Sequence, residues 1–263
     1  MLVCTLGDLL LDVIVRLDGP IAADTDTYGR TRVAAGGQAA NVAAWVAELG
    51  GRAHFVGKRA RDPAGRIAAG ELERRGVSVF GPELADGTGT VVSLATPDGG
   101  RAMLSDRGVA TSFAPDELEA DWLRGCDWLH VPGYSLVVSP LAATALAAAQ
   151  LAPHVSLDLS STAAIASIGP ERFREQVGRL EAELVFATEA EAELLQPLEA
   201  ETVVLKCGAR GCAVRRDGTV REYPAHPVEV VDSTGAGDAF AAGFLLGGPE
   251  LALEAAARCV AQM

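Results

Sequence analysis

Short apolar runs alternate with longer stretches of helical periodicity along most of the chain. Apolar runs of four to six residues bounded by turn residues are typical of buried strands. A helix is predicted to begin at the Asp62-Pro63 cap and to stop at Gly76. This alternation implies a mostly parallel sheet flanked by helices. Strands are predicted at 2–6, 53–57, 128–131, 155–159, 184–187 and 203–206, and further helices at about 39–49, 115–124, 140–151, 170–182 and 189–195.

The middle of the chain breaks this alternation. Residues 88–96 and 101–105 flank a Pro-Asp-Gly-Gly turn at 97–100, which indicates a hairpin rather than a helical connection. The polar segment 16–35 is the expected partner of this hairpin. Together they predict a small second sheet that projects from the main one.

The whole pattern predicts one α/β domain over residues 1–263, with a lid formed by insertions at about 13–35 and 86–107. A second hairpin turns at Asp217-Gly218, and two helices follow it. A lid suits chemistry that must exclude water from a reacting group.

Composition excludes several classes of protein. The chain is 49% hydrophobic and 22% charged, which is typical of a globular domain rather than a disordered chain. Its 22 Lys and Arg residues against 35 Asp and Glu give a net charge of −13. This charge disfavours nucleic acid and anionic membrane surfaces as partners. An anionic ligand would need local positive charge, which helix N-termini or a metal ion bound to the nucleotide can supply.

Cysteine use and the apolar tracts indicate a cytoplasmic protein. Five cysteines without CxxC spacing argue against a disulfide framework or a zinc site. The N-terminus lacks the basic region of a signal peptide. The apolar tract 136–152 is interrupted by Pro140 and Gln150, so a buried helix explains it better than a membrane span.

The most informative stretch is Asp-Ser-Thr-Gly-Ala-Gly-Asp at 232–238, directly before an apolar helix. The first N–H groups of a helix lack partners and carry partial positive charge, so they bind phosphate. A carboxylate at Asp238, beside such an anion site, suits a base that removes a hydroxyl proton. The stretch therefore indicates phosphoryl transfer. The structural alternative is a Gly-rich turn with Asp232 or Thr234 as a helix cap.

This run resembles the C-terminal signature of the ribokinase-like (PfkB) carbohydrate kinases. Gly36-Gly37-Gln38-Ala39-Ala40-Asn41 is similar to a second motif of that family, and the resemblance covers nearly the whole chain. It implies a three-layer α/β/α fold with a small β-sheet lid. It also implies Mg²⁺- and ATP-dependent phosphorylation of a primary hydroxyl on a sugar or sugar-like acceptor, with Asp238 as base. The N–H groups of Gly235, Ala236 and Gly237 would hold the migrating phosphoryl group.

The resemblance also implies an acceptor site near the N-terminus. Gly36 and Gly37 would hinge the lid, and Asn41 would hydrogen-bond sugar hydroxyls. Asp12 interrupts an apolar run, so it either meets ligand hydroxyls or faces solvent, and the resemblance favours the ligand. Arg107 either binds an anionic group on the acceptor or pairs with the neighbouring Asp106 on the surface.

Asp8 is a lesser candidate for the acceptor site. It could share the role of Asp12, but a turn cap is its expected structural role. Asp158 ends a predicted strand where relatives border the phosphate site, and it is not expected to be catalytic.

A family Asn-x-x-Glu motif that organises magnesium matches here only in part. Thr188 stands where the family has Asn, and Glu191 keeps the carboxylate, a hard oxygen ligand suited to Mg²⁺. The structural alternative is a helix capped by Thr188 with acids in its first turn.

Other residues are expected at the nucleotide. Gly208 and Gly211 would let the backbone approach it, and Lys206 would stabilise charge unless it is an exposed strand-end lysine. The resemblance implies that Asp232 and Thr234 lie near the phosphates. A monovalent cation at Asp232 occurs in some relatives. The tail that supplies its other ligands, and part of the adenine pocket, is expected to be missing because the chain stops at Met263.

Two further functions remain alternatives. A nucleoside kinase of the same fold could stack a base on Tyr28 or Phe113, although isolated aromatics are more often packing residues. A sugar or nucleotide sensor is suggested by the missing Asn, but the retained Asp238 argues against it. A dinucleotide fingerprint and a GxxxxGK[ST] loop are both absent from the sequence. Lids of this family often pair, so we expect a homodimer.

Overall fold

The computed structural model describes residues 1–98 and 100–261. Gly99 of the predicted hairpin turn and Met263 lie outside the described residues. The strands are β1 Leu2–Leu6, β2 Leu10–Leu17, β3 Gly29–Gly36, β4 Arg52–Val56, β5 Arg59–Ala60, β6 Val77–Phe80, β7 Glu83–Leu84, β8 Thr88–Ala95, β9 Arg101–Gly108, β10 Trp128–Pro132, β11 Val155–Asp158, β12 Leu184–Thr188, β13 Thr202–Lys206, β14 Cys212–Arg216 and β15 Thr219–Tyr223. The helices are α1 Gln38–Glu48, α2 Pro63–Arg74, α3 Leu141–Ala149, α4 Thr162–Ile168, α5 Pro170–Leu180, α6 Glu189–Leu195 and α7 Ala236–Val260.

A large sheet forms the centre of the molecule, in the order β15-β14-β13-β12-β11-β10-β1-β4-β6. Neighbours from β6 to β13 pair in parallel, while β14 and β15 add an antiparallel hairpin at one edge. The predicted mostly parallel sheet is confirmed. Because parallel strands end at the same edge, the residues after β1, β11, β12 and β13 are brought together there.

Two apolar cores cover the faces of this sheet. Helices α1, α2 and α7 pack on one face, around side chains such as Phe55, Phe186 and Val204. Helices α3 to α6 pack on the other, around Leu129, Ile165 and Phe173. A parallel sheet buried on both faces needs near-continuous apolar strands, which explains why β1 is buried along its whole length. The three-layer arrangement is the one that the sequence predicts.

A small four-stranded sheet stands apart, in the order β3-β2-β8-β9. The strands β2 and β8 pair in parallel, and β3 and β9 flank them antiparallel. Only Gly7, Asp8 and Leu9 separate β1 of the large sheet from β2 of the small one. The hairpin of β8 and β9 is confirmed. The polar segment 16–35 joins the same sheet but not as the direct partner of the hairpin: its strand β3 pairs with β2, and β2, from the preceding apolar run, pairs with β8.

Some local predictions were wrong. The predicted helix at 115–124 is two 3₁₀ turns, Pro115–Glu117 and Ala120–Leu123. The backbone is extended at Leu118 between them (φ −81°, ψ 122°). The Glu117 carboxylate accepts hydrogen bonds from the Ala114 N–H (2.9 Å) and the Lys58 ammonium (2.7 Å), which fixes a tight turn here. Helix α4 and strand β6 were not predicted, since both are short and weakly periodic.

Helix α7 is apolar enough and long enough to cross a membrane by composition, with a mean hydropathy of 1.2 in its most apolar window. Half of that window is buried inside the fold. The helix is broken at Gly248 (φ 79°, ψ −164°), which precedes Pro249. A Cβ on Gly243 would lie 2.6 Å from the Leu251 carbonyl oxygen, so the two halves pack closely. Each half is well short of the ~20 residues that a span needs.

A row of polar side chains crosses the interior of the large sheet. Thr5, His130 and Ser156 are neighbours in adjacent strands and are fully buried. The His130 Nδ1 atom lies 3.0 Å from the Ser156 hydroxyl, and its Nε2 atom has no hydrogen-bond partner among residues 1–98 and 100–261. Burial lowers the pKa of His130 to about 4. The histidine is therefore neutral at physiological pH.

This buried histidine predicts a loss of stability in acid. The unfolded state binds the His130 proton near pH 6.5 and the folded state only near pH 4, so its contribution is complete above pH 6.5 and is lost as the pH falls toward 4. The loss is about 3 kcal/mol of unfolding free energy. Urea unfolding from pH 7 to pH 4 should show a steeper decline in the wild type than in His130→Leu. His154→Gln, which removes an exposed histidine, should match the wild type; parallel curves for His130→Leu and wild type would contradict the prediction.

Candidate active site

A cleft of about 940 Å³ separates the carboxyl edge of the large sheet from the small sheet. Its walls include Asp12 from β2, Lys206 from β13 and the first turn of α7 with Asp238. Ligands of open α/β sheets bind at such an edge. Gly36 and Asp232, also predicted from the sequence, are not among the residues that line the cleft. They support Asp12 and Thr234, which do line it.

The start of α7 is shaped to accept an anion. Gly235 caps the helix in the left-handed region (φ 78°), which glycine adopts without strain. The Asp232 carboxylate accepts hydrogen bonds from the N–H (2.9 Å) and the hydroxyl (2.8 Å) of Thr234, which fixes the preceding turn. Side chains leave the space beside Gly235 and Gly237 open: the atoms nearest to a Cβ built there are the Cys259 sulfur at 3.7 Å and the Lys206 ammonium at 3.5 Å. The Ala236 N–H donates to the Ser233 carbonyl oxygen at 3.3 Å. The start of the helix and the Lys206 ammonium thus border the same open space.

Asp238 lies in the first turn of α7, 9% exposed. The Asn41 side-chain amide donates a hydrogen bond to Asp238 Oδ2 at 2.8 Å. Burial raises the pKa of Asp238 to about 7, the Asp158 carboxylate adds to this, and the Asn41 hydrogen bond and the Lys206 charge oppose it. A carboxylate with a pKa near neutrality can both take up and release a proton at physiological pH.

Lys206 is held by a buried partner. Its ammonium lies 2.6 Å from Asp158 Oδ2, and the side chains are 15% and 0% exposed. Burial disfavours the charged ammonium, but the neighbouring carboxylates, Asp158 above all, outweigh it and raise the pKa of Lys206. The alternative of an exposed strand-end lysine is excluded. The sequence did not reveal this pairing, although both residues end strands of one parallel sheet.

Asp12 faces the other end of the cleft. Burial raises its pKa to about 6, with further contributions from the Asp8 and Glu71 carboxylates. Gly36 makes room for this carboxylate, because a Cβ on Gly36 would come within 2.1 Å of Asp12 Oδ1. Gly37 adopts φ 95° and passes so close to the Asp8 carbonyl that a Cβ would lie 2.4 Å from it. The paired glycines are therefore required by close packing around the two aspartates.

Arg107 does not pair with Asp106. Its guanidinium donates to the Asp8 carboxylate and lies over the Tyr134 ring, with its Cζ 3.8 Å from the ring centroid. Asp106 instead accepts a hydrogen bond from the Gly108 N–H at 2.9 Å. Asp8 is a buried ion-pair partner rather than a turn cap. Both corrections have one cause: the small sheet folds back over the end of β1, which sequence spacing does not show.

Thr188 and Glu191 form a capping box at the start of α6. The Thr188 hydroxyl accepts from the Glu191 N–H at 3.3 Å, and Glu191 Oε2 accepts from the Thr188 N–H at 2.7 Å. The capping alternative is thus present in the structure. Both residues line the cleft, and Glu191 is 5% exposed. A role of Glu191 at magnesium stays a prediction.

Beyond Lys206 the cleft continues along the turn that contains Gly208 and Gly211. Gly211 adopts φ 98°, and a Cβ there would lie 2.0 Å from the Tyr223 carbonyl oxygen. This end has an apolar wall that the sequence analysis missed, since its members come from the segment after β15 and from the second half of α7. They include Pro227, Val228, Val230, Leu253, Ala256 and Val260.

The two aromatic residues considered for base stacking do not line the cleft. Phe113 is fully buried in the core, and Tyr28 is 79% exposed at the far end of the small sheet. The packing interpretation of Phe113 is therefore correct. Tyr134 and Phe240 are the ring-bearing residues that do reach the cleft wall, together with His226.

Residues 1–261 match the family model described as "pfkB family carbohydrate kinase". The chain belongs to this family. It is 32% identical to the ATP-dependent ribose-1-phosphate kinase of Halopiger xanaduensis (98% of this chain, 90% of that protein). It is 29% identical to probable fructokinase-4 of Arabidopsis thaliana (93% and 81%). The solved structure of adenosine kinase from Sinorhizobium meliloti superposes with a TM-score of 0.89 at 27% identity, covering 99% of this chain and 94% of that one.

Membership in the pfkB carbohydrate kinases makes this protein a phosphotransferase that acts on a hydroxyl group. The resemblance stated from the two glycine motifs is confirmed, as is the ribokinase-like fold. The names of the relatives cover a ketose, a sugar phosphate and a nucleoside, so they do not fix the acceptor.

The raised pKa of Asp238 predicts that its ionised carboxylate lowers the free energy of unfolding. The folded-state pKa is about 7 and the ordinary value 3.8, so the contribution is complete below pH 3.8 and is lost as pH rises through 7. The cost above pH 7 is about 4 kcal/mol of unfolding free energy. Asp238→Asn should therefore melt roughly 5–15 °C higher than wild type at pH 8, with the gap closing toward pH 4. Asp116→Asn, at an exposed acid, should have nearly the wild-type melting temperature at both pH values. A difference between Asp238→Asn and wild type that is the same at pH 8 and pH 4 would disprove the link to the Asp238 pKa.

Proposed function

We propose that this protein is an ATP-dependent sugar kinase in which Asp238 removes the proton of a primary hydroxyl as that oxygen attacks the γ-phosphate. The observation that supports it best is the position of Asp238 in the first turn of α7, close enough to Lys206 for the two charges to interact. A carboxylate would repel a bound phosphate, so its presence there suits a proton acceptor rather than an anion ligand.

The acceptor end would orient the sugar. Asp12 and Asn41 line the cleft on the side of the small sheet and offer carboxylate and amide groups to ring hydroxyls. Asn41 has a second task, because its amide already donates to Asp238 and so fixes the carboxylate in one position. A fixed base and a fixed hydroxyl turn a bimolecular encounter into a positioned reaction.

The phosphoryl end would be held by backbone and by one cation. As the new O–P bond forms and the bond to the ADP oxygen breaks, negative charge accumulates on the transferring group. The N–H groups of Gly235 and Gly237 and the Lys206 ammonium border that place and would stabilise the charge. Asp158 keeps Lys206 charged and directed into the cleft. The acceptor proton ends on Asp238.

ATP and Mg²⁺ are the expected co-substrate and metal. The open apolar wall beside Gly208, where Val228 and Val230 are 40% and 61% exposed, suits a nucleobase. The described residues contain no cluster of three metal-ligating side chains. This fits Mg²⁺, which keeps several waters and binds mainly through substrate phosphates with one or two carboxylates. Glu191 would hold its water shell, and the metal would neutralise phosphate charge.

Turnover tests the role of Asp238. ADP release with Mg·ATP should depend on a sugar acceptor, and Asp238→Asn should lower kcat by roughly 10²–10⁴-fold, the usual contribution of a general base. Asn41→Ala should lower kcat less, since the base remains. Asp116→Asn should keep wild-type kcat, and circular dichroism should show all three variants folded. Substantial acceptor-dependent ADP release by Asp238→Asn would reject the assignment.

Acceptor-dependent turnover also separates the alternatives. A sensor would bind a sugar or nucleotide without forming ADP, and a nucleoside kinase would prefer nucleosides over pentoses and hexoses.

A cytoplasmic location is part of the proposal, because ATP is available there. The unpaired state of all five cysteines is compatible with it.

A homodimer through the small sheet is a further part of the proposal. Val33, Val13, Val92 and Leu104 face each other in register across all four strands, on the side opposite to Asp12. Val33 and Leu104 are 51% and 58% exposed. An apolar row across a whole sheet is well suited to the same row of a second copy.

Light scattering tests this assembly. The wild type should have about twice the 27.2 kDa mass of one chain. Leu104→Arg should shift it to the mass of one chain, because a buried unpaired charge is costly. Val220→Arg, at an equally exposed valine of β15, serves as the control and should leave the mass unchanged. A wild type with the mass of one chain would refute the dimer.

A further inference from the structure

The acceptor end of the cleft contains a buried ion pair that the proposed mechanism does not use. Asp8 is 3% exposed, and its Oδ2 atom accepts from the Arg107 guanidinium. The Arg107 Cζ atom lies 3.8 Å from the centroid of the Tyr134 ring, a contact that limits its movement. All three residues line the cleft. The pair is therefore part of the wall that an acceptor would contact.

The second oxygen of Asp8 lacks a donor. Asp8 Oδ1 is buried and has no hydrogen-bond partner within the part of the chain that the structure describes. It lies 3.3 Å from the point where a Cβ on Gly37 would stand, and Gly37 lines the cleft. A buried carboxylate oxygen without a hydrogen bond is costly. A hydroxyl of a bound ligand is the kind of donor it lacks.

Charge at this end of the cleft is negative. Arg107 is neutralised by Asp8, and Lys206 is engaged with Asp158 at the other end. Asp12 adds a further carboxylate, whose pKa is raised first by burial and then by the Asp8 charge. Burial alone would raise this pKa, but the smaller contributions of Asp8 and Glu71 come from negative charge near Asp12. An arginine in the wall thus does not make this site attractive to anions.

We propose that the Asp8–Arg107 pair is a charge filter: Asp8 binds a hydroxyl of the acceptor and cancels the arginine, so uncharged polyols bind and acceptors carrying carboxylate or phosphate are rejected. The inference rests on the proposed kinase function and names its substrate class. Rejection follows because an anionic group would meet Asp12 and Asp8, while the Lys and Arg residues described in the cleft wall, Arg107 and Lys206, already pair with Asp8 and Asp158. An acceptor hydroxyl supplies the donor that Asp8 Oδ1 requires.

The wild-type protein gives the first test. ADP release is measured with two matched pairs of neutral and charged acceptors: ribose with ribose 1-phosphate, and fructose with fructose 1-phosphate. Adenosine, which is neutral, and 2-keto-3-deoxygluconate, which carries a carboxylate, are measured beside them. The neutral member of each pair should have a kcat/KM at least tenfold higher. Equal or better use of a charged acceptor would overturn the filter and leave the kinase function intact.

Variants test which residue sets the selectivity. Asp8→Asn frees the charge of Arg107 with little change in shape, so the charged-to-neutral ratio of kcat/KM should rise at least tenfold. Arg107→Gln leaves Asp8 unpaired and should lower that ratio further. Glu119→Gln makes the same charge change at an exposed site and should leave the ratio at the wild-type value. An unchanged ratio in a folded Asp8→Asn protein would disprove the role of Asp8.

Binding separates this inference from the kinase function. Calorimetric titration of the wild type with ribose and with ribose 1-phosphate, and with the fructose pair, requires no turnover. Tighter binding of the neutral members without any ADP release would reject the kinase and support the filter. Equal or tighter binding of the phosphorylated members would reject the filter, whether or not ADP is formed. The same titration decides the matter if Asp8→Asn fails to fold.

Discussion

The burial of a carboxylate beside a helix N-terminus is the constraint on which the rest of this site depends. Asp238 is removed from water by the close packing of α1 and α7, and its charge is only partly offset by the Asn41 amide and Lys206. The partial compensation leaves the carboxylate with a pKa of about 7. Full neutralisation by an ion pair would have made it a structural group, and full exposure would have made it a weaker base.

Two sheets with different tasks meet around this carboxylate. The large parallel sheet, buried on both faces, fixes Asp158, Thr188 and Lys206 at one edge of the cleft. The small sheet is joined to it through the short connection at Asp8 and contributes Asp12 and Arg107 to the opposite wall. In the proposed function each reactant would contact a different sheet, and movement of one sheet relative to the other would open and close the cleft.

Arg107 and Lys206, in the wall of the cleft, are each paired with an aspartate. Lys206 is oriented by Asp158, and Arg107 is held between Asp8 and Tyr134. These pairings join residues 48 and 99 positions apart in the chain. The residue types were visible in the sequence, but their ion-pair partners were not. The partner decides whether a lysine or arginine can attract an anionic ligand or is already neutralised by a neighbouring carboxylate.

The sequence by itself determined the order of strands and helices, the family and the candidates at both glycine motifs, because periodicity, caps and positive-φ glycines are local properties. It failed where competing local structures have similar energies, as in the 3₁₀ turns before β10, and in short elements such as α4. Only the tertiary structure decided that Asp8 meets Arg107, that Lys206 pairs with the buried Asp158 and that Phe113 packs in the core. Those outcomes depend on which distant strands lie side by side, and burial and charge pairing arise only when they do.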